Sequence, residues 1–155
     1  MLKADVLDGF RKAGIPRSYK AGEAVFLADE PSTGMYLILK GEASVVRRDP
    51  VSGGNVEIAV VGPAQTMGEV SLLLSQAHSA TVFAKTDLEC LLLTQSRLDD
   101  LRRDDPELAL KLFEILAFTL AGHLMDMNRQ LANAKKQIEK LEQKLAEETH
   151  GYSYY

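Results

Sequence analysis

Apolar and polar residues alternate in short runs between residues 19 and 93, and clusters of glycine, proline and acidic residues separate these runs. A period of two is typical of half-buried β-strands, because successive side chains of a strand point to opposite faces of the sheet. Many short strands separated by turns favour a closed or sandwiched β architecture over repeated βαβ units. The strands predicted in this way are Tyr19–Glu23, Ala24–Ala28, Met35–Leu39, Ala43–Arg47, Val56–Val61, Ala80–Ala84 and Leu88–Leu93.

Residues at helical spacing flank this β region. Near the N-terminus, Leu2, Val6 and Phe10 predict a short amphipathic helix, and Gly14 ends the pattern. After the last strand, residues 95–101 predict a second short helix. The predicted β region therefore lies between helices.

A long helix is predicted from Asp105, a favoured cap, to about Glu147, with Pro106 at its first position. Apolar residues recur along it at two positions of a seven-residue repeat, which indicates a coiled coil. We therefore expect a homodimer; a helix folded against its own domain is the alternative, and the flanking charges do not fix the direction of pairing. The predicted seam consists of Leu110, Phe113, Ala117, Leu120, Leu124, Met127, Leu131, Ala134, Ile138, Leu141 and Leu145.

Composition and charge narrow the classes of function. The net charge of −4 argues against a nucleic-acid-binding surface, which usually carries a basic excess. We expect no membrane span, because no apolar run approaches the ~20 residues that one needs, and the first residues lack the apolar core of a signal peptide. Cys90 is the only cysteine and lies in an apolar run, so a buried structural thiol is expected. These features predict a cytoplasmic protein that does not bind DNA.

Catalytic chemistry is not expected from this chain. The 3 histidines are scattered along the sequence without the spacing of metal ligands. The sequence also offers no nucleophile–base pattern to which a reaction could be assigned. We therefore expect neither an enzyme nor a metal centre.

The segment from Gly68 to Val82 carries the candidate binding chemistry. Gly68 allows the backbone to approach a ligand closely, and Glu69 can accept hydrogen bonds from sugar hydroxyls. A short apolar turn of helix follows, and Ser79 and Ala80 lead back into a strand. Backbone N–H groups at the start of that helix and at the Ser79–Ala80 pair suit a phosphate. The segment predicts a concave site for an anion and hydroxyl groups.

This segment resembles the phosphate-binding cassette of cyclic-nucleotide-binding domains, in which Gly-Glu and an apolar stretch precede Arg-Ser/Thr-Ala. The resemblance is to the β-rolls of catabolite activators and of protein kinase A regulatory subunits, and it covers about residues 15–125. It implies an α+β, mainly β fold: a jelly-roll β-barrel with short flanking helices and a long C-terminal coiled-coil helix. The expected domains are residues 1–104 for the roll with its N-terminal helix, 105–148 for the dimerisation helix and 149–155 for a frayed tail that includes His150.

The resemblance also implies cAMP or cGMP as the ligand and assigns roles to individual residues. Glu69 would bind the ribose 2′-hydroxyl. Counted along the long helix, His123 falls where family members touch the purine base, although an exposed or interface-filling histidine is the alternative. The residues implied to hold the sugar and the cyclic phosphate are Gly68, Val70, Ser79 and Ala80.

The cassette differs from the family pattern at one position, where His78 replaces the expected arginine. Arginine offers phosphate a permanently charged, bidentate fork, whereas a neutral histidine offers one N–H. The lost charged hydrogen bonds, worth roughly 1.5–3 kcal/mol, would weaken binding about tenfold to a hundredfold. Either a partly protonated His78 binds the phosphate more weakly, with affinity rising as the pH falls toward about 6, or the site has lost the nucleotide.

Two functions follow from these alternatives. In the first, the domain is a sensor in which a bound nucleotide shifts the long helix and changes the geometry of the dimer seam. In the second, a ligand-free roll is carried by the coiled coil as a protein-interaction module. Some relatives are transcription factors with a helix-turn-helix after the long helix. We expect no such motif within this sequence, which has no room for it after the long helix and no basic patch; a fragment of a larger protein is the alternative.

Overall fold

The computed structural model describes residues 4–151 of the chain, and the side chains of residues 7–148. The helices are α1 (Ala4–Ala13), α2 (Glu69–Leu74), α3 (Gln95–Asp104) and α4 (Pro106–Gly151). The strands are β1 (Ile15–Tyr19), β2 (Ala24–Phe26), β3 (Met35–Lys40), β4 (Ala43–Arg48), β5 (Asn55–Val61), β6 (Thr66–Met67), β7 (Thr81–Ala84) and β8 (Leu88–Leu93).

Two antiparallel sheets of 4 strands form the β region. Their strand orders are β1-β8-β3-β6 and β2-β7-β4-β5, so strands distant in sequence lie side by side in both sheets. The predicted fold, mainly β with short flanking helices and a long C-terminal helix, is confirmed. The core cluster consists of Val25, Phe26, Tyr36, Ile38, Ala43, Met67, Val82, Ala84, Leu88, Cys90 and Leu92.

Cys90 lies in this core, as predicted for a structural thiol. Its side chain is 1% exposed. Burial raises the pKa of the thiol to about 11, and the positive charge of Arg17 opposes this only in part. The thiol is therefore protonated at neutral pH.

The first predicted strand, Tyr19–Glu23, is wrong. Strand β1 ends at Tyr19, where the predicted strand begins. It pairs with β8 from Ile15 opposite Leu92 to Tyr19 opposite Leu88. β1 lies at the edge of its sheet, where the missing N–H of a proline within it is tolerated. The two-residue strand β6 was not predicted, because a strand this short has no detectable alternation.

Helix α4 begins where the sequence predicts. The Asp105 side chain accepts a hydrogen bond from the Leu108 N–H at 3.1 Å, which confirms Asp105 as the cap. The chain divides into two compact units, Met1–Ile115 and Leu116–Tyr155. Within the first unit, Ala109 and Leu112 of α4 are buried, while Leu110 of the predicted seam is exposed.

The predicted division of the chain, with residues 149–155 as a frayed tail, stays a prediction. Helix α4 extends to Gly151 and so includes the first residues of that segment. Residues 152–155 lie outside the described residues, as do the side chains of Leu2, Val6 and His150.

Part of α4 is strongly apolar. A window of 18 residues within Pro106–Glu148 has a mean hydropathy of 1.6 and no more than 2 charged residues. By length and composition alone this helix could cross a membrane, and 17% of the window is buried inside the protein. The expectation of no membrane span therefore stays a prediction.

Candidate functional site

The candidate site begins at the turn between β6 and α2. Gly68 occupies this turn with φ at +80°, in the left-handed region that glycine adopts at least cost. A Cβ at this position would lie 2.8 Å from the carbonyl oxygen of Gly34. The Gly68 carbonyl accepts a hydrogen bond from the Leu72 N–H at 3.1 Å, so this turn starts the helix. Glu69, its first residue, is 5% exposed.

Replacing Gly68 with alanine tests how tightly this turn is built. The left-handed φ alone costs a non-glycine residue about 1–2 kcal/mol, and the contact with Gly34 adds about 1–3 kcal/mol. Gly53→Ala is the matched control, because Gly53 also has a left-handed φ but open space around a Cβ. Urea unfolding of both variants should show the larger loss for Gly68→Ala. Equal losses would contradict the tight packing of this turn.

The segment after α2 is fixed by backbone hydrogen bonds to the loop that follows β2. The Asp29 N–H donates to the His78 carbonyl at 2.9 Å, and the His78 N–H donates to the Glu30 carbonyl at 3.0 Å. The Ala28 N–H donates to the Thr81 hydroxyl oxygen at 2.9 Å. These bonds return the chain to β7 and hold the His78 backbone on both sides.

His78 lies inside the roll. Its side chain is 2% exposed, and its ring stacks on Phe26 with 3.9 Å between the ring centroids. The Cβ position of Gly68 lies 3.5 Å from His78 Cε1, so the two ends of the cassette meet. Among the described residues, neither ring nitrogen of His78 has a hydrogen-bond partner. Burial lowers the pKa of His78, with the charge of Glu30 opposing the shift, so the ring is neutral at pH 7.

This burial makes stability depend on pH. Because the folded-state pKa of His78 is lowered, the unfolded chain takes up the proton first as the pH falls below about 6.5. The free energy of unfolding should therefore be fully retained above that pH and decrease below it. Urea unfolding between pH 7.5 and 5.5 checks this result.

The matched variants for the pH series are His78→Phe and His123→Gln. Phenylalanine keeps a flat ring against Phe26 and cannot take up a proton, so the loss on acidification should shrink. His123 is exposed on α4, so its replacement shows how far the removal of an imidazole elsewhere in the chain changes the loss. An undiminished loss in His78→Phe would contradict the assignment to His78.

Arg47 also reaches the cassette, and sequence reasoning missed it. On β4, Arg47 lies two residues beyond Val45 and four beyond Ala43. Ala43 belongs to the core, and Val45 packs against it. Because side chains alternate along a strand, Arg47 lies on the same face of β4 as these two residues. Its Nε–H donates to the carbonyl oxygen of Ser79 at 3.2 Å. The period-two pattern from Ala43 to Arg47 was the sequence feature from which the position of Arg47 could have been predicted.

The remaining predicted residues differ in their surroundings. Val70 on α2 is 46% exposed, Ser79 is exposed and Ala80 is buried. The cassette residues 68–70 and 78–80 belong to one compact unit, whereas His123 is an exposed residue of α4 in the other unit. The contact of His123 with a base stays a prediction.

The middle of the cassette segment, residues 71–77, contributes to the wall of a cavity of about 410 Å³. Glu69 and His78 do not line this cavity. Its lining comes from the loop before β3, from α2 and the segment after it, and from the start of α3: Asp29, Pro31, Ser32, Ser71, Leu72, Ser75, Gln76, Ala77 and Gln95.

Comparison with known families identifies the family of this domain. Residues 16–105 match the cyclic nucleotide-binding domain family, so the match covers more than half of the chain. The chain belongs to the cyclic nucleotide-binding domain family.

One curated relative is much longer than this chain. Glutaminase 2 from Bradyrhizobium diazoefficiens is 34% identical over 130 residues, which are 84% of this chain but 20% of that protein. The chain thus spans about a fifth of the length of this curated relative.

Solved structures share the fold. The N-terminal domain of a transcriptional regulator from Streptomyces coelicolor A3(2) is 26% identical, with a TM-score of 0.66 over 82% of this chain and 87% of that one. A global regulator from Xanthomonas campestris that responds to cyclic di-GMP is 19% identical, with a TM-score of 0.74 over 84% of this chain and 63% of that one. The second likeness concerns the fold alone.

Proposed function

We propose that this chain is a regulatory sensor whose β-roll binds a cyclic nucleotide, cAMP or cGMP. The observation that carries the proposal is a buried carboxylate, Glu69, placed directly after the left-handed Gly68 inside a domain of the matched family. Glu69 binds the ribose 2′-hydroxyl in this proposal. The sugar and the cyclic phosphate contact Gly68, Val70, Ser79 and Ala80.

The long helix is proposed as the output of the sensor. Seven large side chains of the predicted seam are 55% to 66% exposed, namely those of Leu110, Leu124, Met127, Leu131, Ile138, Leu141 and Leu145. A row of apolar side chains with a seven-residue repeat is stabilised by pairing with a second copy of the same helix. A nucleotide that binds more tightly to one position of this helix shifts the population toward it and thereby changes the dimer.

A second function, a ligand-free interaction module, is supported by one observation. The ring of His78 stacks on Phe26 inside the roll, at the position where the family pattern has arginine. In that case the roll serves as a scaffold on a dimerising helix. A binding measurement distinguishes the two functions, because the sensor binds a cyclic nucleotide and the interaction module does not.

The activity of the glutaminase relative is not proposed for this chain. The matched segment is a small part of that protein, so its enzymatic activity does not transfer to the segment. We also propose that the chain makes no direct contact with DNA, on the basis of its acidic charge balance. A cytoplasmic location is part of the same proposal.

Calorimetric titration of the chain with cAMP, cGMP and cyclic di-GMP tests the proposed function, with linear 5′-AMP as the control. Saturable binding of cAMP or cGMP, with one nucleotide per chain and no comparable binding of 5′-AMP, is the expected result. Binding of cyclic di-GMP without binding of cAMP or cGMP would show that the ligand is a cyclic dinucleotide. Absence of binding by all of the cyclic nucleotides would favour the interaction module.

A further inference from the structure

Arg47 has unused hydrogen-bonding capacity beside the cassette. An arginine guanidinium carries five N–H donors, and the Nε–H of Arg47 uses one of them on the Ser79 carbonyl. Among the side chains that the structure describes, none accepts a hydrogen bond from the Nη groups of Arg47, and no carboxylate forms an ion pair with it. Its positive charge is therefore uncompensated at this place.

Two other cationic side chains near Arg47, those of Lys85 and Arg48, bind other partners. Lys85 pairs with Glu57 at 3.3 Å. Arg48, the next residue on β4, donates to the carbonyl oxygen of Gly53 at 3.3 Å, at the tip of the hairpin. Successive residues of a strand point to opposite faces, so Arg48 lies on the face away from the core. Arg47 is thus the arginine of β4 that meets the cassette.

His78 does not supply that charge in this conformation. Its ring is buried against Phe26, and burial lowers its pKa. Protonation of the ring would place a cation in an apolar contact, which costs free energy unless an anion compensates it. The cassette therefore contains a neutral packed ring where the family pattern has a charged side chain.

We propose that Arg47, and not His78, supplies the positive charge that the phosphate of the ligand meets. The inference rests on the proposed function. The bond to Ser79 places the guanidinium next to the residue assigned to the cyclic phosphate. The planar fork of arginine matches two phosphate oxygens at once, as the arginine of the family pattern would. A charge supplied from β4 replaces the charge lost at position 78.

Titration of the full chain with cAMP and cGMP, in four forms, tests this inference. The forms are the unchanged protein, Arg47→Gln, the matched control Arg48→Gln and His78→Phe, each first shown to be folded by thermal unfolding. Arg47→Gln should weaken binding about tenfold to a hundredfold, in line with the loss of a charged hydrogen bond. Arg48→Gln and His78→Phe should stay within about threefold of the unchanged protein, and His78→Gln replaces the phenylalanine variant if that variant unfolds.

The pH dependence provides a second readout. Arginine stays charged between pH 6 and 8, so the affinity of the unchanged protein should be flat over that range. An affinity that rises toward pH 6 and loses this rise in His78→Phe would overturn the inference. Retained affinity in Arg47→Gln would overturn it as well, while leaving the proposed function intact. If the unchanged protein binds neither nucleotide, the proposed function and this inference both fail.

Discussion

Replacing Leu131 and Ile138 together with aspartate is expected to convert the proposed dimer into a monomer. Both residues belong to the predicted seam and are 58% and 55% exposed in the single chain. Burial of a leucine or isoleucine side chain contributes about 1.5–3 kcal/mol, and a symmetric dimer buries each of them twice. The double variant removes about 6–12 kcal/mol of this contribution and brings like charges together. The dissociation constant should increase by four orders of magnitude or more.

Analytical ultracentrifugation at micromolar concentration measures this change. The control is Met125→Asp, because Met125 is 65% exposed on the same helix but lies outside the seam. That variant should remain dimeric, which separates seam contacts from the general effect of aspartate on a helix. A double variant that stays dimeric, or an unchanged protein that is already monomeric, would contradict the coiled coil.

Glu69→Gln is expected to weaken the binding of cyclic nucleotide about tenfold to a hundredfold. Glutamine keeps the size and shape of the side chain but removes the charge that strengthens hydrogen bonds from the ribose hydroxyl, an effect of roughly 1.5–3 kcal/mol. Glu69 is almost fully buried, so water cannot restore these bonds.

Calorimetry with cAMP and cGMP checks the Glu69 prediction. Glu89→Gln is the control, because Glu89 is an exposed carboxylate that pairs with Lys40 on the surface. Its replacement should leave affinity unchanged. Equal affinities of the Glu69→Gln variant and the unchanged protein would show that the charge of Glu69 does not contribute to binding.

The sequence predicted those features that depend on local pattern. Alternation placed the strands from Met35 onward except the two-residue β6, and the Gly68–Glu69 pair indicated the turn that starts α2. Asp105 was predicted as a cap from its neighbours alone, and its hydrogen bond to Leu108 confirms it. Each of these features is determined by residues close together in the chain.

The features that the sequence did not predict depend on contacts between distant residues. β1 is a strand because it pairs with β8, more than 60 residues away, although it contains a proline. The burial of His78 depends on Phe26 and on backbone bonds to Asp29 and Glu30. The position of Arg47 was partly predictable from alternation, but its bond to Ser79 requires the pairing of β4 with β7.

An amide NMR titration with cAMP and with cGMP tests most directly whether the cassette is the nucleotide site. The proposed function predicts the largest shifts at the N–H groups of residues 68–70 and 79–80. Shifts confined to the cavity lined by Gln76 and Gln95, or no shifts at saturating nucleotide, would contradict it.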